Sequence, residues 1–332
     1  MEFAELAAMA GAHAEARAIQ VALKLGVFET LAAHSTSAAD LARILGADPR
    51  AAEILVNAVV ALGLLELEGG RYRLDATAHR FLVKASPEYL GGLILFDEAI
   101  FPLWSSLEET VRSGRPARAP DMFQDDPAET ERFIHAMDSL TRARGDARWV
   151  AEHLDLSGAR TIADLGGGPG TYLAALMRKY PAVSGEIWDL KATLEVARTI
   201  LAEREAAAAA RITLRTVDYL KQELPGPVDA IFVSNIIHSE TAETNSRLLR
   251  KCFRSLARGG TIVIKDHVMN RELTHPRSGA VFSLYLLLAT RGRDYSFEEI
   301  AGWLGDAGFS GARREDLPSP PFSSSLVIAA KP

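Results

Sequence analysis

The spacing of apolar positions changes along the chain and divides its 332 residues into three segments. Over residues 1–85 apolar side chains recur at three- and four-residue steps, which predicts amphipathic helices. Residues 86–150 keep this helical spacing, with aromatic side chains scattered through it. Over residues 151–332 strand-like apolar runs alternate with helical runs. This alternation predicts an α/β domain, in which helices cover both faces of a parallel sheet.

The first segment carries helix and hairpin signals in the order of a winged helix. Ser37 or Thr36 can cap one helix, and Pro49 opens the next. The run LLELEGGRYRL then predicts a hairpin that turns at Gly69–Gly70. The helix from Pro49 is almost wholly apolar, whereas a helix that reads DNA presents several basic and amide side chains. We therefore expect residues 1–85 to form a winged-helix-like domain that binds protein, and specifically a second copy of the chain.

Composition and charge exclude several classes of protein. The formal net charge of −6 disfavours a nucleic-acid partner held through phosphate contacts. The single cysteine, Cys252, leaves no intramolecular disulfide and no cysteine-rich zinc site, and its helical surroundings predict a buried thiol. No apolar run is long enough to span a membrane, and the acidic N-terminus lacks the features of a signal peptide. We expect a cytoplasmic protein.

A glycine-rich loop, DLGGGPG, follows the first predicted strand of the α/β segment at Asp164–Gly170. Ligands of open parallel sheets bind at the carboxyl ends of the strands, so the loop stands where a cofactor is expected. Its spacing matches neither the dinucleotide pattern G-x-G-x-x-G nor a P-loop, which needs a following lysine. It matches acid-x-G-x-G-x-G, and a loop without a ligand is the alternative interpretation.

Two further acids stand at the ends of the next predicted strands. Asp189 ends GEIWD, where a carboxylate can accept both hydroxyls of a ribose. Asp218 ends RITLRTVD, where it can reach an adenine amino group. Asp164 can face an ammonium group. An adenosine and an amino acid beside a loop without phosphate geometry predict S-adenosylmethionine as the cofactor.

The ordered set of motifs resembles the small-molecule O-methyltransferases of the caffeate, isoflavone, acetylserotonin and hydroxyneurosporene type, bacterial members included. The resemblance covers nearly the whole chain and rests on FIHAM, DLGGGPG, WDL, VDYL, SNIIHS, IKDHV and GRDYS. It implies a Rossmann-like class I methyltransferase sheet, an N-terminal dimerisation domain, a homodimer, and S-adenosylhomocysteine as a product. The cofactor site is then expected to comprise Asp164, Gly166, Gly168, Asp189, Leu190, Asp218, Tyr219, Ser234 and Thr141.

The resemblance also implies the chemistry of the site. His238 follows the strand DAIFVSNII and matches the histidine that acts as general base in the family; a buried structural histidine is the alternative. Asp266 ends the next strand, so it can orient the imidazole, and Asp294 matches a second acidic position where glutamate is common. His267 follows Asp266 directly and is expected to face the other way, because strand residues alternate. No metal is therefore expected.

The acceptor is expected to be a small, apolar and aromatic molecule with a hydroxyl group. Its pocket would lie between the helices of residues 86–150 and the sheet. The candidate walls are Trp104, Phe133, Met137, Phe282, Tyr285 and Leu286.

Two positions depart from the plant pattern and keep alternatives open. Ser239 stands where aspartate often follows the histidine, and Ser234 stands where a lysine often precedes it by four residues. Transfer to carbon is one alternative, and loss of methylation in favour of hydroxylation or decarboxylation is another. A ligand-sensing winged-helix regulator and a cofactor-binding scaffold without turnover are the non-enzymatic alternatives.

Overall fold

A computed structural model describes residues 1–121, 123–318 and 324–332. The chain forms two compact units, Met1–Ile100 and Phe101–Pro332. The finer boundaries expected near residues 85 and 150 stay predictions. No helix within the described ranges combines the length and the apolar character needed to cross a bilayer.

The first unit is built from helices and one hairpin. Gly26 ends the first helix in the left-handed conformation, with φ of 83°. The Ser37 side chain accepts a hydrogen bond from the Asp40 amide, as the capping prediction requires. The hairpin turns at Gly69 and Gly70, whose φ values of 56° and 75° suit glycine. The elements are α1 Phe3–Leu25, α2 Val27–Ala33, α3 Ala38–Leu45, α4 Pro49–Ala61, β1 Leu65–Glu68, β2 Arg71–Leu74, α5 Ala76–Phe81 and α6 Gly91–Ile100. Its assignment as a winged helix stays a prediction.

The second unit begins with a 3-10 turn, Phe101–Ser106, and continues as helices α7 Leu107–Ser113, α8 Pro127–Arg144 and α9 Asp146–His153. Strands and helices then alternate. The strands are β3 Thr161–Leu165, β4 Ser184–Asp189, β5 Ile212–Thr216, β6 Val228–Ser234, β7 Leu256–Asp266, β8 Val268–Met269, β9 Tyr295–Ser296, β10 Ser310–Asp316 and β11 Ser325–Ala330. The helices among them are α10 Thr171–Lys179, α11 Lys191–Arg204, α12 Ala206–Ala209, α13 Ala242–Ser255, α14 Arg277–Ala289 and α15 Phe297–Ala307.

Seven of the described strands of the second unit form a sheet in the order β10-β11-β7-β6-β3-β4-β5, and β8 pairs with β9 in a separate two-stranded sheet. β7, β6, β3, β4 and β5 run parallel, and β11 joins β7 antiparallel. This is the Rossmann-like methyltransferase sheet that the sequence predicts, and the expected C-terminal hairpin lies at its edge. The chain leaves β3 towards β4 and later returns to β6 on the other side, so the switch point lies at the carboxyl end of β3.

Both faces of the sheet are buried under helices. Leu173, Leu176 and Met177 of α10 pack on one face, and Leu249 and Cys252 of α13 pack on the other. The Cys252 thiol is fully buried, as predicted, and this burial raises its pKa to about 12. Cys252 is therefore a structural thiol.

Candidate active site

The glycine loop turns the chain from β3 into α10. Gly166, Gly168 and Gly170 have φ values of 64°, 54° and 78°, a region that side chains disfavour. A Cβ atom at Gly166 would lie 2.3 Å from Ile236 Cδ1, and one at Gly170 would lie 2.6 Å from Ile187 Cδ1. Backbone conformation thus favours glycine at all three positions, and close packing also requires it at Gly166 and Gly170. The loop backbone forms a wall of a cavity.

This cavity lies at the switch point of the sheet and has a volume of about 600 Å³. Every residue expected to bind the cofactor lines it, namely Thr141, Asp164, Gly166, Gly168, Asp189, Leu190, Asp218, Tyr219 and Ser234. The structure therefore brings together in one place residues that are spread over about a hundred positions of the chain.

Asp164 places an unpaired carboxylate on the cavity wall. The residue is 1% exposed, and neither carboxylate oxygen has a hydrogen-bond partner in the described part of the chain. Burial, reinforced by the nearby Asp189 charge, raises the Asp164 pKa to about 8. A buried acid without a partner suits a ligand that brings a positive charge and hydrogen-bond donors, as the ammonium group of S-adenosylmethionine does.

Asp189 links the loop to the end of β4. Its carboxylate accepts hydrogen bonds from the Gly168 amide at 2.9 Å and from the Leu190 amide at 2.7 Å. Burial nevertheless raises the Asp189 pKa to about 6. Each carboxylate oxygen has a second lone pair, so the group can still accept a pair of ribose hydroxyls.

Asp218 and Tyr219 follow β5 at the next strand end. Asp218 lies 2.9 Å from Lys221 Nζ and accepts a hydrogen bond from the Leu220 amide at 3.0 Å. The Tyr219 hydroxyl donates to Glu240 Oε1 at 2.9 Å, and Glu240 also lines the cavity. Glu240 was missed at the sequence level, although it lies only two residues after His238.

His238 is presented by a 3-10 turn, Ile237–Ser239, just beyond the end of β6. Its side chain is buried, and its Nδ1 lies 2.6 Å from Oδ1 of Asp266, the last residue of β7. β6 and β7 are parallel neighbours, so the two strand ends bring the pair together, as the sequence predicts. Burial lowers the His238 pKa, but the charge and hydrogen bond of Asp266 outweigh it, so that the net shift is upward.

Asp294 lies on the same side as this pair but contacts a different histidine. Its Oδ2 is 3.5 Å from Nδ1 of His267. The expectation that His267 faces away from the site is wrong: its ring centroid lies 6.4 Å from that of His238. The reason is that β7 ends at Asp266, so strand alternation does not extend to the next residue. Atoms of His238, Asp266 and Asp294 approach within 4.8 Å of one another, and the absence of a metal stays a prediction.

The candidate acceptor walls fall into separate groups. Phe133 and Met137 of α8 line the cavity. Phe282 of α14 lies edge-on to His238 at a centroid distance of 5.4 Å, and Tyr285 packs against Phe282 at 5.6 Å. Leu286 is buried and Trp104 is half-buried, and neither is among the described residues that line the cavity.

A buried lysine behind the cavity was not anticipated. Lys265 is the register partner of Ser234 across β7 and β6, and it is fully buried. Its Nζ lies 3.4 Å from Asp146 Oδ2 and donates to Ser324 Oγ at 3.2 Å. Burial lowers the Lys265 pKa to about 8. A charged residue inside the apolar strand run IVIKD was the available signal.

Two polar residues connect this lysine to the cavity. Arg144 forms an ion pair with Asp146, and the Lys265 ammonium lies 5.3 Å from the ring centre of Tyr172. Both Arg144 and Tyr172 line the cavity. Ser234, at the position where plant relatives often have a lysine, thus has a buried lysine, Lys265, as its register partner on β7.

The fold and the cavity define a class of protein. The switch point of the sheet carries a glycine loop without a phosphate-binding lysine, an unpaired buried carboxylate and two further acids at neighbouring strand ends. These features fit an adenosyl amino acid and exclude the phosphate geometry of nucleotide-binding loops. The protein is an S-adenosylmethionine-dependent α/β methyltransferase.

Comparison with known families narrows the class. Residues 104–310 match the O-methyltransferase domain, and residues 8–84 match the O-methyltransferase dimerisation domain. The chain therefore belongs to the O-methyltransferase family, and it transfers methyl groups from S-adenosylmethionine. The family resemblance identified from the sequence is confirmed.

Individual relatives align with nearly the whole length of the chain. The 3-hydroxy-5-methyl-1-naphthoate 3-O-methyltransferase of Streptomyces sahachiroi is 36% identical, over 91% of this chain and 88% of that one. The N,N-dimethyltransferase OxyT of Streptomyces rimosus is 27% identical, over 97% and 94%. The solved structure of PigF with SAH, a protein known from a Serratia species, is 26% identical and superposes with a TM-score of 0.89 over 100% of both chains.

Proposed function

We propose that the protein methylates a hydroxyl of a small aromatic molecule and that His238 is the general base. Similarity extends to an N,N-dimethyltransferase, so family membership alone leaves the acceptor atom open. The observation that favours a hydroxyl is the buried contact of 2.6 Å between His238 Nδ1 and Asp266. A hydroxyl must lose its proton as it attacks, and an oriented imidazole serves that step.

Separate residues bind the cofactor and remove the proton. S-adenosylmethionine, when bound, supplies the electrophilic methyl group. Asp164 holds its ammonium group, Asp189 its ribose, and Asp218 with Tyr219 its adenine. Neutral His238 takes the proton from the hydroxyl of the methyl acceptor at its Nε2 atom. The described residues offer no hydrogen-bond partner to this Nε2. Asp266 keeps the Nδ1 proton on the opposite side of the ring and stabilises the imidazolium that forms.

An aromatic acceptor is supported by the relatives and by the walls of the site. The naphthoate O-methyltransferase acts on a hydroxylated bicyclic acid, as its name states. In this chain Phe133 and Met137 supply apolar surface to the cavity, and the Phe282 ring packs at a steep angle against His238. We therefore propose a mono- or bicyclic phenol as the acceptor class.

Incubation of the purified protein with methyl-labelled S-adenosylmethionine and a panel of phenols and naphthols tests this proposal. We expect label on an aryl oxygen and one S-adenosylhomocysteine per methylated product, at a rate that added EDTA does not change. Conversion without S-adenosylhomocysteine would identify a non-methylating relative. Label on carbon would identify a C-methyltransferase. Binding of S-adenosylmethionine without any turnover would indicate a cofactor-binding scaffold.

We also propose that residues 1–85 form a homodimer in the cytoplasm. The match to a dimerisation domain supports this, as do large apolar side chains exposed on the first unit, such as Phe3 at 86%, Leu6 at 57% and Ile54 at 57%. We expect an isologous interface on the order of 2,000 Å² or more. Light scattering should show a dimer at micromolar concentration. A monomer, or a soluble and well-folded protein lacking residues 1–85, would contradict the prediction.

The pH profile should report the His238–Asp266 pair. Only neutral imidazole accepts a proton, so the single-turnover rate should rise with pH through a pKa above the ordinary histidine value. In Asp266→Asn the raising influence of the carboxylate is lost and the lowering effect of burial remains. The acidic limb should therefore move to lower pH, with a reduced plateau. Rates of both proteins measured across neutral pH decide this, and an unshifted limb in Asp266→Asn would rule out the assigned pair.

A further inference from the structure

His267 and Asp294 form a second histidine–aspartate pair beside the one that contains His238. The two residues are 5% and 1% exposed. Among the described residues, neither ring nitrogen of His267 and neither carboxylate oxygen of Asp294 has a hydrogen-bond partner, although Nδ1 and Oδ2 lie 3.5 Å apart. Burying polar atoms without hydrogen bonds costs free energy. A partner outside the chain would account for this arrangement.

His238 makes its direct contact with Asp266, and a carboxylate oxygen of Asp294 lies within 4.8 Å of the same imidazole. Asp266 Oδ1 lies 2.6 Å from His238 Nδ1, and it also accepts a hydrogen bond from the His267 amide at 2.9 Å. The His267 backbone is therefore tied to the carboxylate that serves His238.

Both imidazoles face the same aromatic ring. Phe282 lies edge-on to His238 and His267, at centroid distances of 5.4 and 5.1 Å and interplanar angles of 82° and 88°. The two imidazole planes are inclined by only 22°. A small aromatic molecule that enters beside Phe282 would therefore meet two similarly oriented histidines at once.

We propose that His267, oriented by Asp294, binds a second hydroxyl of the acceptor, adjacent to the one that is methylated. The inference rests on the proposed function and names its substrate class, a dihydroxyarene. With Nδ1 donating towards Asp294, the Nε2 of a neutral His267 is a hydrogen-bond acceptor, which suits a hydroxyl. An anionic substituent would bring a third negative charge next to the buried Asp266 and Asp294, whereas a hydroxyl brings none.

His267 then determines specificity and takes no part in proton removal from the methylated oxygen. Its loss should weaken binding of a diol and leave a mono-alcohol unaffected. The product should retain one free hydroxyl. A merely structural histidine would instead affect both substrates equally.

Three naphthalene probes test the inference: 2,3-dihydroxynaphthalene, 2-naphthol and 3-hydroxy-2-naphthoate. For the wild-type protein we expect kcat/KM for the diol to exceed that for 2-naphthol by about tenfold or more, since one buried hydrogen bond is gained. His267→Phe should bring the ratio close to one by raising KM for the diol, and the isosteric Asp294→Asn should reduce it in the same direction. The matched control is His153→Phe at an exposed position, which should keep the wild-type ratio.

Calorimetric binding of the same probes to the protein loaded with S-adenosylhomocysteine gives a readout that does not depend on turnover. The wild-type protein should bind the diol more tightly than 2-naphthol, and His267→Phe should remove this difference without changing the melting temperature. Equal binding of the two probes by the wild-type protein, or a preference for the carboxylate probe, would overturn the inference. Failure of the proposed function is a separate outcome, because no probe would then gain a methyl group while the binding comparison would still decide the role of His267.

Discussion

His238→Ala should slow single-turnover methylation by about 10²–10⁴-fold, the contribution typical of a positioned acid–base group. The dissociation constant for S-adenosylmethionine should stay nearly unchanged, because His238 is not among the described residues that line the cavity at the glycine loop. The expected loss therefore falls on the proton transfer step alone. Rapid mixing of the preloaded protein with a phenol, followed by quenching, measures this step.

A buried structural histidine would behave differently. In that case His238→Ala would lower the melting temperature and leave the rate per folded molecule intact. Thermal melting and single-turnover rates should therefore be measured on the same samples, with His153→Ala as the control at an exposed histidine. A His238→Ala protein that methylates at the wild-type rate would eliminate the proposed base.

Asp189→Ala should weaken binding of S-adenosylmethionine by about 1.5–3 kcal/mol, the range for hydrogen bonds to a charged group, or about 10- to 150-fold in Kd. Two effects add here. The ribose hydroxyls lose their acceptor, and the amides of Gly168 and Leu190 lose the carboxylate that holds them at 2.9 and 2.7 Å. Calorimetric titration of the purified protein measures the change.

Asp155→Ala is the matched control, because Asp155 is an exposed aspartate outside the cavity. It should bind the cofactor like the wild-type protein. If Asp189→Ala binds S-adenosylmethionine with the wild-type affinity, the proposal that Asp189 binds the ribose is wrong. Tight binding of NADH by the wild-type protein, with no binding of S-adenosylmethionine, would instead contradict the cofactor itself.

The predicted cofactor residues line one cavity largely because most of them stand at or just beyond strand ends. Position at the carboxyl end of a parallel strand depends on where an apolar run stops, and that can be found in the sequence at Asp164 and Asp189. The strand ends need not be located to the residue: β5 ends at Thr216, two residues before Asp218, and Asp218 still lines the cavity. A prediction that misplaces a strand end by two residues can therefore still place a side chain at the correct edge of the sheet.

The contacts of Asp294 were not predictable in this way. Its partner depends on whether β7 stops at Asp266 or continues, since one further residue of strand would turn His267 to the opposite face. The apolar pattern of IVIKDHVM allows both outcomes. Only the packing of α14, which brings Phe282 against both imidazoles, distinguishes them.

The contacts of Lys265 with Asp146 and Ser324 could not be predicted from the sequence either. Asp146 and Ser324, the partners of Lys265, stand 119 and 59 positions away from it along the chain. The lysine stands out within the apolar run IVIKD, but the local sequence does not identify these partners. Charge pairing across such distances leaves no periodic signal. The walls of the acceptor pocket were equally hard to predict. Trp104 and Leu286 are large apolar residues like Phe133 and Met137, but among the described residues only Phe133 and Met137 of these four line the cavity.

The unpaired carboxylate of Asp164 couples cofactor binding to a proton. With a pKa of about 8 in the free protein, this group is mostly protonated at neutral pH. An incoming ammonium group favours the ionised form, so binding should expel a proton into the buffer. Apparent affinity for S-adenosylmethionine should accordingly increase as the pH rises towards 8 and level off above it. The heat of binding should also depend on the ionisation enthalpy of the buffer. Binding of S-adenosylmethionine is then linked to the release of a proton from Asp164.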